Sequence, residues 1–357
     1  MRTAIVTTTI NVPTFLKGYS DNIAKFGNDD VIFVVVGDKK SPPETQSFCD
    51  TIPNCYYLDI AAQYRYMRDG WLSDLYNHLP FNSVERRNIG MLWAYRRGSG
   101  ADIIISIDDD NYATEQDAVS AHQIVGTSPM LPTYGTSSGW FNPCDFLKEE
   151  NDVRFYPRGY SPKNRWHDAA FRDLRYAARK VVVNAGFWLE EPDIDAITRM
   201  ERKLRVVGYK ENWRGMPVAL AAGTWSPFNN QNTALSREVI PAYFLTPHIG
   251  RHSDIFASYV VARLADHFNH AITFGDPLAL HNRQPHNLWN DFDIEREGII
   301  QTDDFCTALR NIPLSAKTYH EGFGQLADGL ESWATAPIRK KIVEGMKIWH
   351  EVFQRLV

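Results

Sequence analysis

The 357-residue sequence has no apolar run approaching the ~20 residues of a membrane-spanning helix. Its four cysteines, Cys49, Cys55, Cys144 and Cys306, form no CxxC pair and no dense framework, which argues against structural zinc and against a disulfide scaffold. Basic charge is not in excess: 43 acidic residues face 38 basic ones, a formal charge of −5, so no nucleic-acid partner is expected. Repeats and low-complexity tracts are absent. The opening MRTAIVTTTI is too short and too rich in threonine for a signal-peptide core and reads as a strand. These absences predict a reduced, cytoplasmic globular protein without a membrane span.

What is present agrees with that class. Hydrophobic residues make up 44% and charged residues 23%, a globular balance over a length that suits one large or two ordinary domains. Nineteen Phe, 16 Tyr and 10 Trp suit a packed core and also the stacking of sugar rings. Thr3–Thr9 reads as a strand broken at Asn11-Val12-Pro13, with a helix following over Thr14–Lys25. Val31–Val36 (VIFVVV) is a continuous apolar run of the kind buried on both faces of a parallel sheet. Tyr56–Leu58 is a weaker third strand, Ser83–Arg97 has helical spacing, and Ile103–Ile107 (IIISI) is a further buried strand. Alternating strands and helices predict an α/β sheet with right-handed crossovers. Residues 145–180 read as a loop-rich excursion, Val181–Val183 as a strand, Asp254–His267 as a helix, and the last 50 residues as two helices. Ile338, Ile342, Met346, Trp349, Val352 and Phe353 mark a packing stripe on the second of these.

In such sheets ligands bind beyond the carboxyl ends of the strands. Thr7, Thr8 and Asn11, then Asp38, then Asp108-Asp109-Asp110 fall at three of those ends and are expected to converge. Three adjacent carboxylates after a buried strand call for a cation, and Mg²⁺ or Mn²⁺ with oxygen ligands can bridge to a diphosphate. Arg87, at a helix start, suits a phosphate, whereas Arg86 reads as a surface charge. Thr7–Pro13 contains no glycine, which counts against the phosphate loop of a nucleotidyltransferase.

Arg87-Asn88-Ile89-Gly90, a helix, and then a strand ending in the Asp triplet resemble the nucleotide-sugar half of GT-A glycosyltransferases. Val36-Gly37-Asp38-Lys39-Lys40-Ser41-Pro42, Arg87–Tyr95 and Asp108-Asp109-Asp110-Asn111 resemble STELLO-type glycosyltransferases. Asn184-Ala185-Gly186-Phe187-Trp188-Leu189, Pro192-Asp193-Ile194-Asp195-Ala196, Asn232-x-Ala234-x-x-Arg237-Glu238 and Arg251-His252-Ser253-Asp254-Ile255 resemble the reversibly glycosylated polypeptides, or UDP-arabinopyranose mutases.

The resemblance covers roughly residues 1–300. It implies a GT-A type Rossmann-like sheet, with a nucleotide-binding half over 1–125, an acceptor-side half over 126–300 and a helical extension over 301–357. It also implies a metal-dependent transferase that takes a nucleotide-diphosphate sugar, UDP-linked, and a hydroxyl acceptor. On this reading Mn²⁺ or Mg²⁺ is held by Asp108, Asp110 and His281, with His286 ranked behind. Thr7, Thr8, Asn11, Asp38, Arg87, Asp108 and Asp109 face the donor. Asn184, Gly186, Trp188, Asn230 and Asn232 face the sugar and acceptor. Asp254 is expected to be the general base, with an N-cap role as its alternative, while Asp193 and Asp195 are expected in turn or capping roles.

The mutase family has two adjacent acids where this chain has Ser253-Asp254. The arginine which that family self-glycosylates falls here at Tyr176, beside Arg175. Transfer to a separate acceptor is therefore expected ahead of mutase activity, with a non-catalytic sugar-nucleotide-binding scaffold as the other alternative. A homo-oligomer is left open.

Overall fold

The computed structural model describes residues 1–356 apart from 69, 97–99, 166–171, 214, 277–278 and 284–286. Fifteen strands appear among them. They are β1 (Thr3–Thr8), β2 (Val31–Val36), β3 (Cys55–Leu58), β4 (Ile103–Ile107), β5 (Asn111–Ala113), β6 (Met130–Thr136), β7 (Leu147–Glu149), β8 (Arg172–Ala178), β9 (Val181–Ala185), β10 (Trp188–Glu190), β11 (Val206–Tyr209), β12 (Val218–Leu220), β13 (Asn232–Ser236), β14 (Ala271–Phe274) and β15 (Ala279–His281).

Ten of these form one mixed sheet in the order β3-β2-β1-β4-β13-β9-β14-β12-β6-β8. The first four are mutually parallel, and β13 runs antiparallel to both β4 and β9. Val31–Val36 is buried at every position because both faces of the sheet are covered. Ile32, Val34 and Val36 enter one core, and Val31, Phe33 and Val35 the other, as the period of two requires. The α/β class is the one that the GT-A resemblance implied.

The helix Arg87–Arg96 lies directly on β1 and β2. A Cβ built at Gly90 would stand 2.7 Å from methyl carbons of both Val6 and Val36, so only glycine permits this approach. The approach places the helix start, and Arg87 with it, beside the carboxyl ends of β1 and β4. Residues 84–86 form a 3₁₀ turn ahead of the helix rather than its first turn.

A second sheet has the order β5-β15-β10-β11-β7. Its β15 pairs antiparallel with β5 so that His281 lies opposite Asn111. The excursion over residues 145–180 contains a strand that its composition hides. The β8 segment pairs with β6 at the sheet edge, and Tyr176 on it is 51% exposed. An edge strand needs no apolar alternation, which is why its charged sequence reads as a loop.

Three helices close the chain: Leu288–Asn311, Tyr319–Gly329 and Pro337–Gln354. Position 300 falls inside the first. The stripe expected on the last is buried from Ile342 to Phe353, and Trp349 donates its indole N–H to the Pro241 carbonyl at 3.1 Å. Among the described residues no helix is long and apolar enough to cross a membrane. All four cysteines are unpaired.

Candidate active site

The carboxyl ends of β1, β2 and β4 open into a crevice of about 290 Å³. Thr8, Asp38, Arg87, all three acids of the triplet, Asn230 and Asp254 line it. The triplet is splayed, and each carboxylate meets a different partner. Asp108 accepts from the Arg87 guanidinium at 2.5 Å, Asp109 accepts from the Thr9 hydroxyl at 2.8 Å, and Asp110 faces His281 Nε2 at 3.2 Å. Burial, and then the charges of its two neighbours, push the Asp109 carboxyl above the usual range. Burial acts the same way on Asp110, but the hydrogen bond and charge of His281 outweigh it and hold that carboxyl low.

His281 comes within reach of Asp110 because β15 pairs with β5, and the Asn282 N–H donates to the Asp110 carbonyl at 3.0 Å. Its Nδ1 lies 2.6 Å from the Glu191 carbonyl, so the Nδ1 proton is committed there. Nε2 then presents a lone pair to an ionised carboxylate, with the Gln231 amide nitrogen 3.4 Å away as its other partner, and the two acceptors repel unless a cation lies between them. A proton can serve, and the pair accordingly raises the histidine pKa against the effect of burial. A metal serves equally well. Adjacent ligands about 2.1 Å from an octahedral ion stand about 3 Å apart, close to the separation observed, and metal-bound histidine typically donates its other N–H to a carbonyl. Among the described residues no three His, Cys, Asp or Glu side chains converge as a preformed metal cluster. The donor set therefore fits an ion that keeps waters and substrate oxygens, as Mg²⁺ does. Asp108, expected as a ligand, is instead turned onto Arg87. His286 lies outside the described residues.

Arg87 is buried, and its terminal amino groups are fully occupied while its Nε–H has no partner among the described residues. Its four terminal N–H bonds go to Asp108, the Thr8 hydroxyl, the Ser106 hydroxyl and the Asn230 carbonyl. Arg86, expected at the surface, is also buried. Its guanidinium donates twice to Gln63 Oε1, at 2.9 and 2.7 Å, and covers the Phe81 ring at 4.3 Å. The 3₁₀ turn that Arg86 ends directs it inward. Asp38 accepts from the backbone N–H of Lys39 and of Ser83. Thr7 has its side chain buried away from the crevice, and Asn11 is exposed, 3.5 Å from Asp109.

Asp254 is neither an N-cap nor a free acid. The residue flanking the helix Ser253–Phe268 is His252, so Asp254 is the second residue inside the helix. Each of its oxygens accepts one Arg158 N–H at 3.0 Å, Oδ1 also accepts the Ile255 N–H, and Oδ2 the Asn230 N–H at 3.3 Å. Burial raises its pKa, with Arg158 opposing. The same guanidinium clasps Asp193 through two further bonds at 3.0 Å and thereby holds that carboxyl well below the usual range against burial. Asp193 is thus a buried member of the crevice wall rather than a turn residue. Asp195 is an N-cap, as expected, accepting from the Thr198 N–H at 2.9 Å.

Arg158 carried no signal in the sequence, being an arginine in an aperiodic stretch. Its segment is pinned by Gly159 (φ 78°), where a Cβ would lie 2.3 Å from Ile255, and by the Tyr259 hydroxyl donating to the Gly159 carbonyl.

Four of the five sugar-side candidates do not line this crevice. Asn184 and Asn232 are buried on opposite sides of His122, whose two ring nitrogens they meet at 3.1 and 3.2 Å. Trp188 is 4% exposed and packs against Phe187, and Gly186 lies beside it in a separate small cavity. Side chains at the end of β9 and the start of β13 are committed to joining those strands, which sequence order alone does not reveal. Asn230 alone of the five lines the crevice.

An α/β sheet whose parallel strands end in an acidic crevice, with a histidine paired to its last aspartate, defines the class of fold and site. No family model matches the chain. It is 27% identical over 275 residues to UDP-arabinopyranose mutase 1 of Oryza sativa subsp. japonica, spanning 71% of this chain and 68% of that protein. It is 26% identical over 273 residues to a probable UDP-arabinopyranose mutase 1 of Zea mays, with the same coverage. The similarity read from separate motifs thus extends over most of the chain. Among solved structures it is similar to glucosyl-3-phosphoglycerate synthase of Mycobacterium tuberculosis, with 12% identity, a TM-score of 0.41, and coverage of 88% of this chain and 82% of that one. A further structure of that synthase, with Mn²⁺ and UDP-glucose, matches at the same score.

Proposed function

We propose that the protein is an enzyme that binds a UDP-linked sugar with a divalent cation in this crevice and transfers the glycosyl group to a hydroxyl acceptor. The observation that carries the reading is the Asp110–His281 pair, with Nδ1 tied to Glu191 and Nε2 turned to the carboxylate. Six carboxylates line the crevice against three guanidinium groups. A diphosphate of the same sign therefore needs Mn²⁺ or Mg²⁺ to enter, and Asp110 and His281 would hold that ion. When bound, the ion neutralises charge on the departing nucleotide. Asp254 is the carboxylate assigned to receive the acceptor proton. All four of its acceptor positions are filled, so the proton replaces the weakest bond, that from the Asn230 N–H.

A second reading, isomerisation of the bound UDP-sugar, is favoured by the similarity to UDP-arabinopyranose mutases. Self-glycosylation at Tyr176 or Arg175 is disfavoured by topology. Six strand spacings separate β8 from β4, about 29 Å at 4.8 Å each. The test is to incubate the protein with Mn²⁺ and a panel of UDP-sugars, with and without hydroxyl acceptors. Nucleotide release only with an acceptor supports transfer, and an isomerised donor supports the second reading. UDP-sugar binding without either outcome leaves a scaffold, and absence of metal-dependent binding overturns all three.

A further inference from the structure

Three guanidinium groups line the crevice, and in two of them every terminal N–H is spent. Arg158 uses all five N–H bonds on Asp193, Asp254 and the Arg251 carbonyl, and Arg87 uses all four of its terminal ones. Arg251 differs. Its Nε donates to Glu295 Oε1 at 2.8 Å, while its terminal amino groups have no hydrogen-bond partner among the described residues. Glu295 is fully buried and is itself fixed, since its other oxygen accepts the Ala196 N–H at 2.7 Å. The Arg251 side chain is 27% exposed. A buried carboxylate therefore holds the stem of this arginine and leaves its fork open to the crevice.

An open fork of parallel N–H donors matches the paired oxygens of a carboxylate or phosphate. The nearby acids are already engaged: Asp193 and Asp254 turn onto Arg158, and Asp291 accepts from Arg283 at 2.7 Å. Nearby cations crowd Arg251. Burial, and then the charges of Arg283 and Arg251, lower the Arg199 pKa to about 10. An anion on the Arg251 fork relieves that repulsion.

We propose that Arg251 recognises an anionic oxygen group, phosphate or carboxylate, that the substrate carries in addition to its nucleotide diphosphate. The proposal deepens the transfer reading and rests on it. The group belongs either to the acceptor or to the donor sugar, because the diphosphate is assigned to the Asp110–His281 end.

Calorimetry on the full chain with Mn²⁺ separates these sources. In one arm inorganic phosphate is titrated into the Mn²⁺–UDP complex. In the other, UDP-glucuronate is compared with UDP-glucose. Phosphate binding, or a preference for the glucuronate, is expected in the wild type. Arg251→Gln should weaken it by about 10- to 100-fold, the worth of charge-assisted bonds, and leave UDP affinity within about twofold. Arg251→Lys keeps the charge without the fork and should fall between; it also carries the test if the glutamine variant does not fold. Insensitivity of both arms to either variant overturns the proposal. An equal loss of UDP affinity also overturns it, by placing Arg251 on the diphosphate. A wild type that binds no UDP with Mn²⁺ overturns the nucleotide-sugar reading itself, a distinguishable failure.

Discussion

Glu85 sits in the turn just before Arg87, buried, with its side chain hydrogen-bonded to Ser253, and burial pushes its carboxyl up to about 7. In the unfolded chain it titrates near the ordinary glutamate value of 4.5. Between those values the folded protein holds the extra proton. Its contribution to stability is therefore greatest below the window and is lost as pH rises through it, by up to about 3 kcal/mol. Glu85→Gln should flatten that fall, and urea titrations near pH 5 and pH 8 would check it. Equal pH dependence in both proteins would show that Glu85 is ionised in the fold. Arg86→Ala removes the guanidinium over Phe81 and strands Gln63 Oε1, so about 2–4 kcal/mol of stability should be lost with UDP affinity kept. Arg87→Ala should instead release Asp108 and weaken UDP binding in the folded protein. Paired denaturation and calorimetry distinguish the two. For the proposed metal pair, Asp110→Ala and His281→Ala should each weaken Mn²⁺-dependent UDP binding by about 10- to 100-fold, a magnitude known for lost ligand-supporting contacts. Full retention in both would remove the assignment. The Asp triplet was legible at this scale because like charges after a buried strand demand a partner. Arg158 was not, and Arg251 was read only as part of the Arg251–Ile255 motif, because the contacts that engage them join stretches distant in sequence.

Among the elements, the helix Arg87–Arg96 depends on a single missing methyl group. Gly90→Ala would drive a Cβ into Val6 and Val36 on adjacent strands, and the helix must lift from the sheet. Overpacking of this kind costs about 1–3 kcal/mol. Because Arg87 begins the same helix, UDP affinity should fall together with stability, whereas a purely structural defect would spare affinity in the folded fraction. A combined melt and titration reads both. Strands such as VIFVVV were legible because burial on two faces leaves no alternative composition. The three-residue strands β5, β10 and β15 were not, since they are too short to carry a period. The edge strand β8 was hidden by its charge. Asn184 and Asn232 were misplaced for a related reason. An asparagine suits a sugar hydroxyl and a buried histidine equally well, and only strand pairing decides between them.

At the scale of the whole molecule, the parallel half could be read as an α/β sheet, but its continuation through β13 into five more strands could not, because antiparallel joins bring no crossover pattern. Residues 110 and 281 meet only through the second sheet, where β5 and β15 are each three residues long. So short a pairing contributes little cohesion by itself. An ion shared by Asp110 and His281 would act there as a removable rivet, closing a chain segment that includes the strands from β5 to β15. The protein should therefore become thermally tougher when its ligand arrives. At a ligand concentration 100-fold above Kd the gain is about 2.7 kcal/mol, a rise of several degrees in Tm. Mn²⁺ with UDP should produce that rise and either one alone should produce little of it. In amide exchange the backbone around Asn111–Ala113 and Ala279–His281 should slow as a unit. Handling the protein without Mn²⁺ and UDP would then expose it to cleavage and unfolding that the loaded form resists.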